Sequence, residues 1–218
     1  MKRVLLCAVF VLAMIFPASL YATPIFINEI HYDNTGTDSG EAVEIAGLAG
    51  SDLSGWSIAL YNGNGGGAYN SEPLAGVIPD QESGFGAISF LITGIQNGAP
   101  DGIALIDNIG TVIQFLSYEG TFTAVGGPAD TMTSIDIGVE ELSGTTVGYS
   151  LQLTGSGSEY EDFMWNSPAS SSFGSVNTGQ TFTAAVPEPE TLFLLLTGLL
   201  LCGIFKWRAD ERLQGNEG

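Results

Sequence analysis

The sequence predicts an all-β domain, a sandwich of two antiparallel sheets, held between two short apolar segments at the chain ends. Three observations lead there. Through the body of the chain, apolar residues alternate in short runs broken by Gly, Asn, Asp and Ser, the pattern of strands half-buried on one face. No stretch of this body carries a helical period bounded by caps. Every lysine and arginine lies outside it: Lys2 and Arg3 at the start, and Lys206, Arg208 and Arg212 near the finish.

The N-terminal residues 1–22 read as a secretory signal peptide, with a basic pair, an apolar helical run from Val4 to Phe16, then Pro17 and small residues to Ala22. The run is shorter than the roughly 20 residues a spanning helix needs. Cleavage by signal peptidase after Ala22 leaves Thr23 first. Cys7 stands at the start of the apolar run rather than after it, which argues against a lipoprotein site, and it departs with the peptide.

The body then offers eight candidate strands, at residues 25–32, 42–45, 56–61, 87–92, 102–106, 111–118, 148–153 and 163–165. In the third, Trp56, Ile58 and Leu60 fall on one face. Asp107-Asn108-Ile109-Gly110 reads as a hairpin turn, with Gly110 supplying the positive φ. The glycine-rich stretch 61–67 is a loop between strands; it lacks the Lys-Ser/Thr of a phosphate-cradling loop and no helix follows it. Strands this short and this regularly interrupted point to two packed antiparallel sheets.

Residues 184–208 carry a second address. Val186-Pro187-Glu188-Pro189-Glu190-Thr191 precedes an apolar run, 192–205, closed by Lys206, Trp207 and Arg208. The prolines forbid a helix through the first part. Lys206 and Arg208 orient the following transmembrane helix with the cations in the cytoplasm, while Trp207 suits the interface. The run would be roughly 21 Å long, which fits a transient anchor better than a durable span. The charged residues 209–218 form a cytoplasmic tail.

This Pro-Glu-Pro, apolar run and basic stop together resemble the PEP-CTERM sorting signal of Gram-negative bacteria. The resemblance implies processing by an exosortase-like membrane transpeptidase that recognises Pro187, Glu188 and Pro189. It implies an inner-membrane intermediate, then delivery to the cell surface or extracellular matrix. Such signals usually end soon after the basic cluster, and here the chain continues to Gly218. An ordinary uncut C-terminal anchor is the alternative.

Charge and composition exclude several functions. Of 24 acidic residues, five lie in the tail (Glu188, Glu190, Asp210, Glu211 and Glu217), leaving 19 between Glu29 and Asp162. These repel phosphate backbones, so direct nucleic-acid binding is disfavoured. Both cysteines, Cys7 and Cys202, lie in the apolar end segments, so the body has no thiol nucleophile, disulfide or cysteine zinc site. His31 is the single histidine; it falls in a strand and no Gly-x-Ser-x-Gly presents a serine to it, so a strand-edge or sheet-face histidine is the expectation.

Two carboxylate groupings remain, Glu140-Glu141 and Glu159, Glu161, Asp162; both are read as solvated surface. The best chemical candidate is the loop 33–41, where Asp33, Asp38 and Glu41 surround two glycines in a way a calcium ion could use. It is a poor EF-hand, with Asp38 at the sixth position where that loop needs glycine. An Asx-rich loop capping its own backbone reads equally well.

Ile27-Asn28-Glu29-Ile30, then Glu41-Ala42-Val43-Glu44-Ile45, Asp52-Leu53-Ser54-Gly55-Trp56, and a late Gly148-Tyr149-Ser150-Leu151 followed by Trp165 resemble the lamin-tail domain. The likeness covers most of residues 23–183. It implies an immunoglobulin-like sandwich, brings no catalytic residues, and points to a surface attachment module. The expected function is therefore a non-enzymatic exported interaction or structural protein, with extracellular polysaccharide or surface proteins as partners. Two alternatives stay open: a metal-dependent envelope hydrolase acting on polysaccharide, and an accessory to a separate secreted nuclease.

Overall fold

The computed structural model describes residues 25–184. The expected signal helix, the sorting residues Pro187, Glu188 and Pro189, the cations Lys206 and Arg208, the apolar run 192–205 and the tail lie outside the described residues. The chain divides into two units between Thr183 and Ala184, and the first holds every strand among the described residues.

The domain is all-β, with eleven strands in two sheets. The strands are β1 (Phe26–His31), β2 (Ala42–Leu48), β3 (Ser57–Asn62), β4 (Ala68–Pro73), β5 (Phe85–Leu91), β6 (Asp101–Ile106), β7 (Val112–Tyr118), β8 (Ile135–Asp136), β9 (Tyr149–Gly157), β10 (Phe163–Ser170) and β11 (Gln180–Phe182). The first sheet runs β10-β9-β1-β2-β5, with β11 also paired to β9; the second runs β4-β3-β6-β7-β8. Among the described residues the only helical element is a 3₁₀ turn, Tyr160–Asp162, and no helix is long and apolar enough to cross a membrane.

The eight expected strands are all present, several of them longer than the apolar alternation indicates. β9 extends to Gly157 and β10 to Ser170, because pairing with each other satisfies backbone groups where the side chains are polar. Three further strands, β4, β8 and β11, carry no apolar alternation: β4 is polar, and the other two have two and three residues. The sheets are also not purely antiparallel. β8 runs parallel to β7 and β11 parallel to β9, since each arrives from a long loop rather than a hairpin.

The sheets pack through one core. Ile27, Ile30, Tyr32, Val43, Ile45 and Leu151 come from the first sheet or its edge, and Ile58, Leu60, Ile103, Leu105, Leu116 and Tyr118 from the second. The rings of Tyr32 and Tyr118 stack across the layers, 3.8 Å apart at 13°. Trp56 packs against this core beside Ile58 and Leu60, on the face its spacing predicts. Ile27 and Ile30 are three residues apart, so strict alternation would send one of them out. A bulge between Ile27 and Glu29 inserts Asn28 and restores both to the core.

Loops cover the opposite faces. Phe122, Ala124 and Ala129 pack on Ala59, Tyr61, Ala104 and Phe115 of the second sheet. On the first sheet, β11 is seated by Phe182, whose ring stacks on Phe85 at 5.0 Å and 3°. Residues 171–180 tie down the middle of that sheet. For this reason β1 is buried along its whole length.

The Asp107 turn is as the sequence predicts: Oδ1 of Asp107 accepts from the amides of Ile109 (3.0 Å) and Thr111 (2.7 Å). Gly110 has φ +89°. The glycine-rich stretch links β3 to β4.

Candidate functional site

β1 ends at His31, and its register with β2 pairs His31 with Ala42, so residues 32–41 close a loop between them. Asn34 organises this loop. Its Nδ2 donates to the carbonyls of Thr35 and Thr37, both at 3.1 Å, and its Oδ1 accepts from the amide of Ser39 at 3.0 Å. Oδ1 of Asp38 accepts from the amide of Asn34 at 3.3 Å. The loop caps its own backbone in the manner of Asx turns.

Of the three carboxylates read as calcium candidates, Asp33 and Asp38 stay together and Glu41 turns away. Asp33 is buried beside Asp38, and burial followed by the Asp38 charge raises its carboxyl above the usual range. Glu41 turns to another loop, where its Oε2 accepts from the amide of Gly94 at 2.8 Å. Among the described residues no group of three or more His, Cys, Asp or Glu side chains is gathered so that it could hold a metal ion.

His31 is buried on the sheet face. Its Nδ1 lies 2.9 Å from Oε1 of Glu141, and its Nε2 faces the carbonyl of Ser39 at 3.2 Å and Oδ1 of Asn34 at 3.3 Å. The amide of Asn34 is oriented by its own bonds, so Oδ1 is an acceptor. Acceptors at both ring nitrogens call for hydrogens on both, an imidazolium. Burial opposes the charge; the bond and charge of Glu141 outweigh it, and the pKa is raised. No ring nitrogen is left to act as a base toward a serine.

Glu141 is not on the solvated surface expected for it. It is 1% exposed. Besides His31 it accepts from the amides of Tyr32 (2.6 Å) and Asp33 (2.9 Å), and its own amide donates to the hydroxyl of Tyr32 at 2.7 Å. With no lysine or arginine in the domain, the single histidine takes this buried carboxylate. Its neighbour Glu140 is exposed, as expected.

The acidic residues are thus not uniformly a surface coat. Glu29, Asp33, Glu41, Glu44, Asp101 and Glu141 are all buried. Glu29 and Glu44 share the covered face of the first sheet. Oε1 of Glu29 accepts from the amide of Ser172 at 2.9 Å and from the Ser150 hydroxyl; its Oε2 lies 3.0 Å from the Ser172 hydroxyl. Oε1 of Glu44 accepts from Nδ2 of Asn28 at 2.9 Å and Oε2 from the amide of Gly174 at 2.6 Å. Burial raises both carboxyls, that of Glu44 to about 8. Neither has accessible surface, so neither can reach a polysaccharide in this conformation.

An accessible concavity among the described residues lies elsewhere. A groove of about 380 Å³ is lined by Ile25, Phe26 and residues 113–116 on one side, by Met132, Thr133 and Ile135 on another, and by Glu159, Tyr160 and Glu161 at the rim. Its corner is fixed by Gln114, whose Oε1 accepts from the amide of Ile27 at 2.7 Å and so links β7 to β1. Ile113, Met132 and Ile135 are 42%, 40% and 64% exposed. Glu159, Glu161 and Asp162 are exposed as expected. Oδ2 of Asp162 is taken by the amides of Ser158 (2.8 Å) and Glu159 (3.0 Å), which leaves Glu159 and Glu161 facing the groove. No sequence pattern marks this site, because four distant segments build it.

No protein-family model, no curated protein and no solved structure matches this chain.

Proposed function

We propose that this protein is a non-enzymatic, exported surface or extracellular-matrix module whose acidic β-sandwich docks a partner protein in the groove between β1, β7 and the 159–161 turn. The observation that carries the reading is the groove itself, where exposed Ile113, Met132 and Ile135 stand beside Glu159 and Glu161 with no cation near among the described residues. Exposed apolar side chains gathered in a concavity mark an interaction surface. The carboxylate rim selects the occupant by charge: an extended segment of a partner protein that pairs apolar side chains with lysine or arginine.

Delivery rests on the two end segments, a signal peptide at 1–22 and a PEP-CTERM-type signal in which Pro187, Glu188 and Pro189 are recognised and Lys206 and Arg208 orient the helix. The domain between them is lamin-tail-like, hence immunoglobulin-like. Supporting that reading, the residues that carry the resemblance are engaged in the fold: Leu53 is buried in the core, Trp56 packs on it, and Asn28, Glu29, Glu44 and Ser150 bond with one another or the segment covering them.

The docking test is calorimetric titration of the domain with a synthetic peptide of alternating leucine and lysine. Binding that Ile135→Asp abolishes, and that weakens with salt and with Glu159→Gln/Glu161→Gln, supports the groove. Equal binding by wild type and Ile135→Asp would mean that the peptide merely coats an acidic surface, and the reading fails. Export is tested separately by intact mass from the native cell surface. A chain beginning at Thr23 and ending near residues 187–190 is expected; one still carrying residues 192–218 would overturn the sorting step.

A further inference from the structure

The hydroxyl of Ser172 is crowded by acceptors. Its oxygen lies 3.0 Å from Oε2 of Glu29, 3.2 Å from Oε1 of Gln152 and 3.0 Å from Oδ1 of Asn177. The two amides are oriented by other bonds. Nε2 of Gln152 already donates to the Ser150 hydroxyl (2.9 Å) and the carbonyl of Ser170 (2.7 Å). Nδ2 of Asn177 donates to the carbonyls of Asn28 and Leu153, both at 3.0 Å. The oxygen atoms of both amides therefore face Ser172. One hydroxyl hydrogen stands among three acceptors.

The mismatch is reduced by one acceptor if Oε2 of Glu29 carries a hydrogen. Oε2 then donates to the Ser172 hydroxyl, which passes its own hydrogen to Gln152 or Asn177. Oε1 remains the carbonyl oxygen, with the Ser150 hydroxyl and the Ser172 amide as its donors. We infer that Glu29 is a neutral carboxylic acid in the folded protein, and that its proton is the latch holding residues 171–177 over the outer face of β1, β2 and β9.

The surroundings agree. Glu29 is 0% exposed, and burial raises its carboxyl. The charged or titratable groups around it are His31 on its own strand, whose charge opposes the rise, and Glu44 on β2, whose own carboxyl stands at about 8. Neither β9, apart from exposed Tyr149, nor β10, β5 or the covering segment contributes a titratable side chain. On ionisation, all three acceptors compete again for the single Ser172 hydrogen beside a fully buried Glu29, and a second carboxylate develops charge nearby. Such a cost is relieved by local opening. Alkaline pH thus lifts the cover and bares Asn28, Glu44 and Gln152.

The proton is tested directly by following the side-chain carboxyl carbon of Glu29 by NMR through a pH series. The acid signature is expected at about pH 6, where an ordinary glutamate is ionised; an ionised signature there overturns the assignment. The latch is tested by amide exchange, corrected for intrinsic rates. In the wild type, protection of the Ser172 and Gly174 amides falls more than about tenfold as pH rises through Glu29's titration, ahead of the β6 amides. Glu29→Gln, whose NH₂ reproduces the donated hydrogen, holds that protection flat. Loss of protection at the same pH in Glu29→Gln, or no loss in the wild type, would exclude the latch. The carboxyl titration stands even if the variant fails to fold.

Discussion

Nδ1 of His31 lies 2.9 Å from Oε1 of Glu141, joining the end of β1 to a loop 110 residues later, and this is the one ion pair among the described residues. Both side chains are buried. Breaking such a pair strands a charge away from water. Glu141→Gln should lower the unfolding free energy by about 3 kcal/mol, because the amide's NH₂ must face a donor among His31, Tyr32 and Asp33. Chemical denaturation measures it. A loss below about 0.5 kcal/mol would assign the pair the weight of a surface contact.

Stability should fall as pH rises from mildly acidic to alkaline. His31, Glu29 and Glu44 all hold a proton more tightly folded than unfolded. Their contribution is complete below the unfolded values and is lost as pH passes through the folded ones. For Glu44 that window runs from the ordinary value of 4.5 to about 8. Asp52 and Asp162, lowered by turn hydrogen bonds, act the other way, but both are exposed. A thermal midpoint higher at about pH 5 than at about pH 8.5 is expected; the reverse order would contradict the protonation states assigned to the buried groups.

Added sodium chloride should stabilise the domain. Nineteen of the chain's 24 carboxylates lie in it with one histidine and no lysine or arginine, so screening relieves more repulsion than attraction. About 1 kcal/mol, a shift of about 2–4 °C for a domain of this size, is the expected scale. Scanning calorimetry across a chloride series reads it, and a falling midpoint would show that attraction dominates.

The glycine-rich stretch should divide sharply under alanine substitution. A Cβ on Gly63 would meet the carbonyl oxygen of Pro100 at 2.0 Å, and one on Gly66, at φ +74°, would meet that of Thr123 at 2.3 Å. Gly67 has open space and no positive φ. Gly63→Ala and Gly66→Ala should each cost about 1–3 kcal/mol in urea unfolding, with Gly67→Ala nearly neutral. Three equal effects would reduce the run to a flexible link.

Much of the architecture is legible in the chain because it depends on local chemistry. Trp56, Ile58 and Leu60 share a face by spacing alone, and Asp107 and Gly110 make their turn from nearest neighbours. The departures have a common cause. β4 is too polar, and β8 and β11 too short, to show a period. The three-residue step from Ile27 to Ile30 signals the Asn28 bulge only once both residues are known to be buried.

The candidate site is less legible. The sequence leaves His31 at a strand edge or on a sheet face, and it is buried on the face, yet its partner Glu141 reads as surface because nothing near it in the chain announces burial. Glu29 and Glu44 look like the outward positions of ordinary half-buried strands. The covering segment 171–180 that buries them comes more than a hundred residues later. The groove joins Phe26, Ile113, Ile135 and Glu159, which share no motif.

The amino-acid sequence by itself determined the all-β class, the principal turns and the lack of any cysteine in the β domain, because periodicity, turn residues and composition are properties of the chain. Tertiary structure alone decided which acids are buried and which stay at the surface. A carboxylate's state depends on the water and donors around it, and here those are set by loops folding back over both sheets.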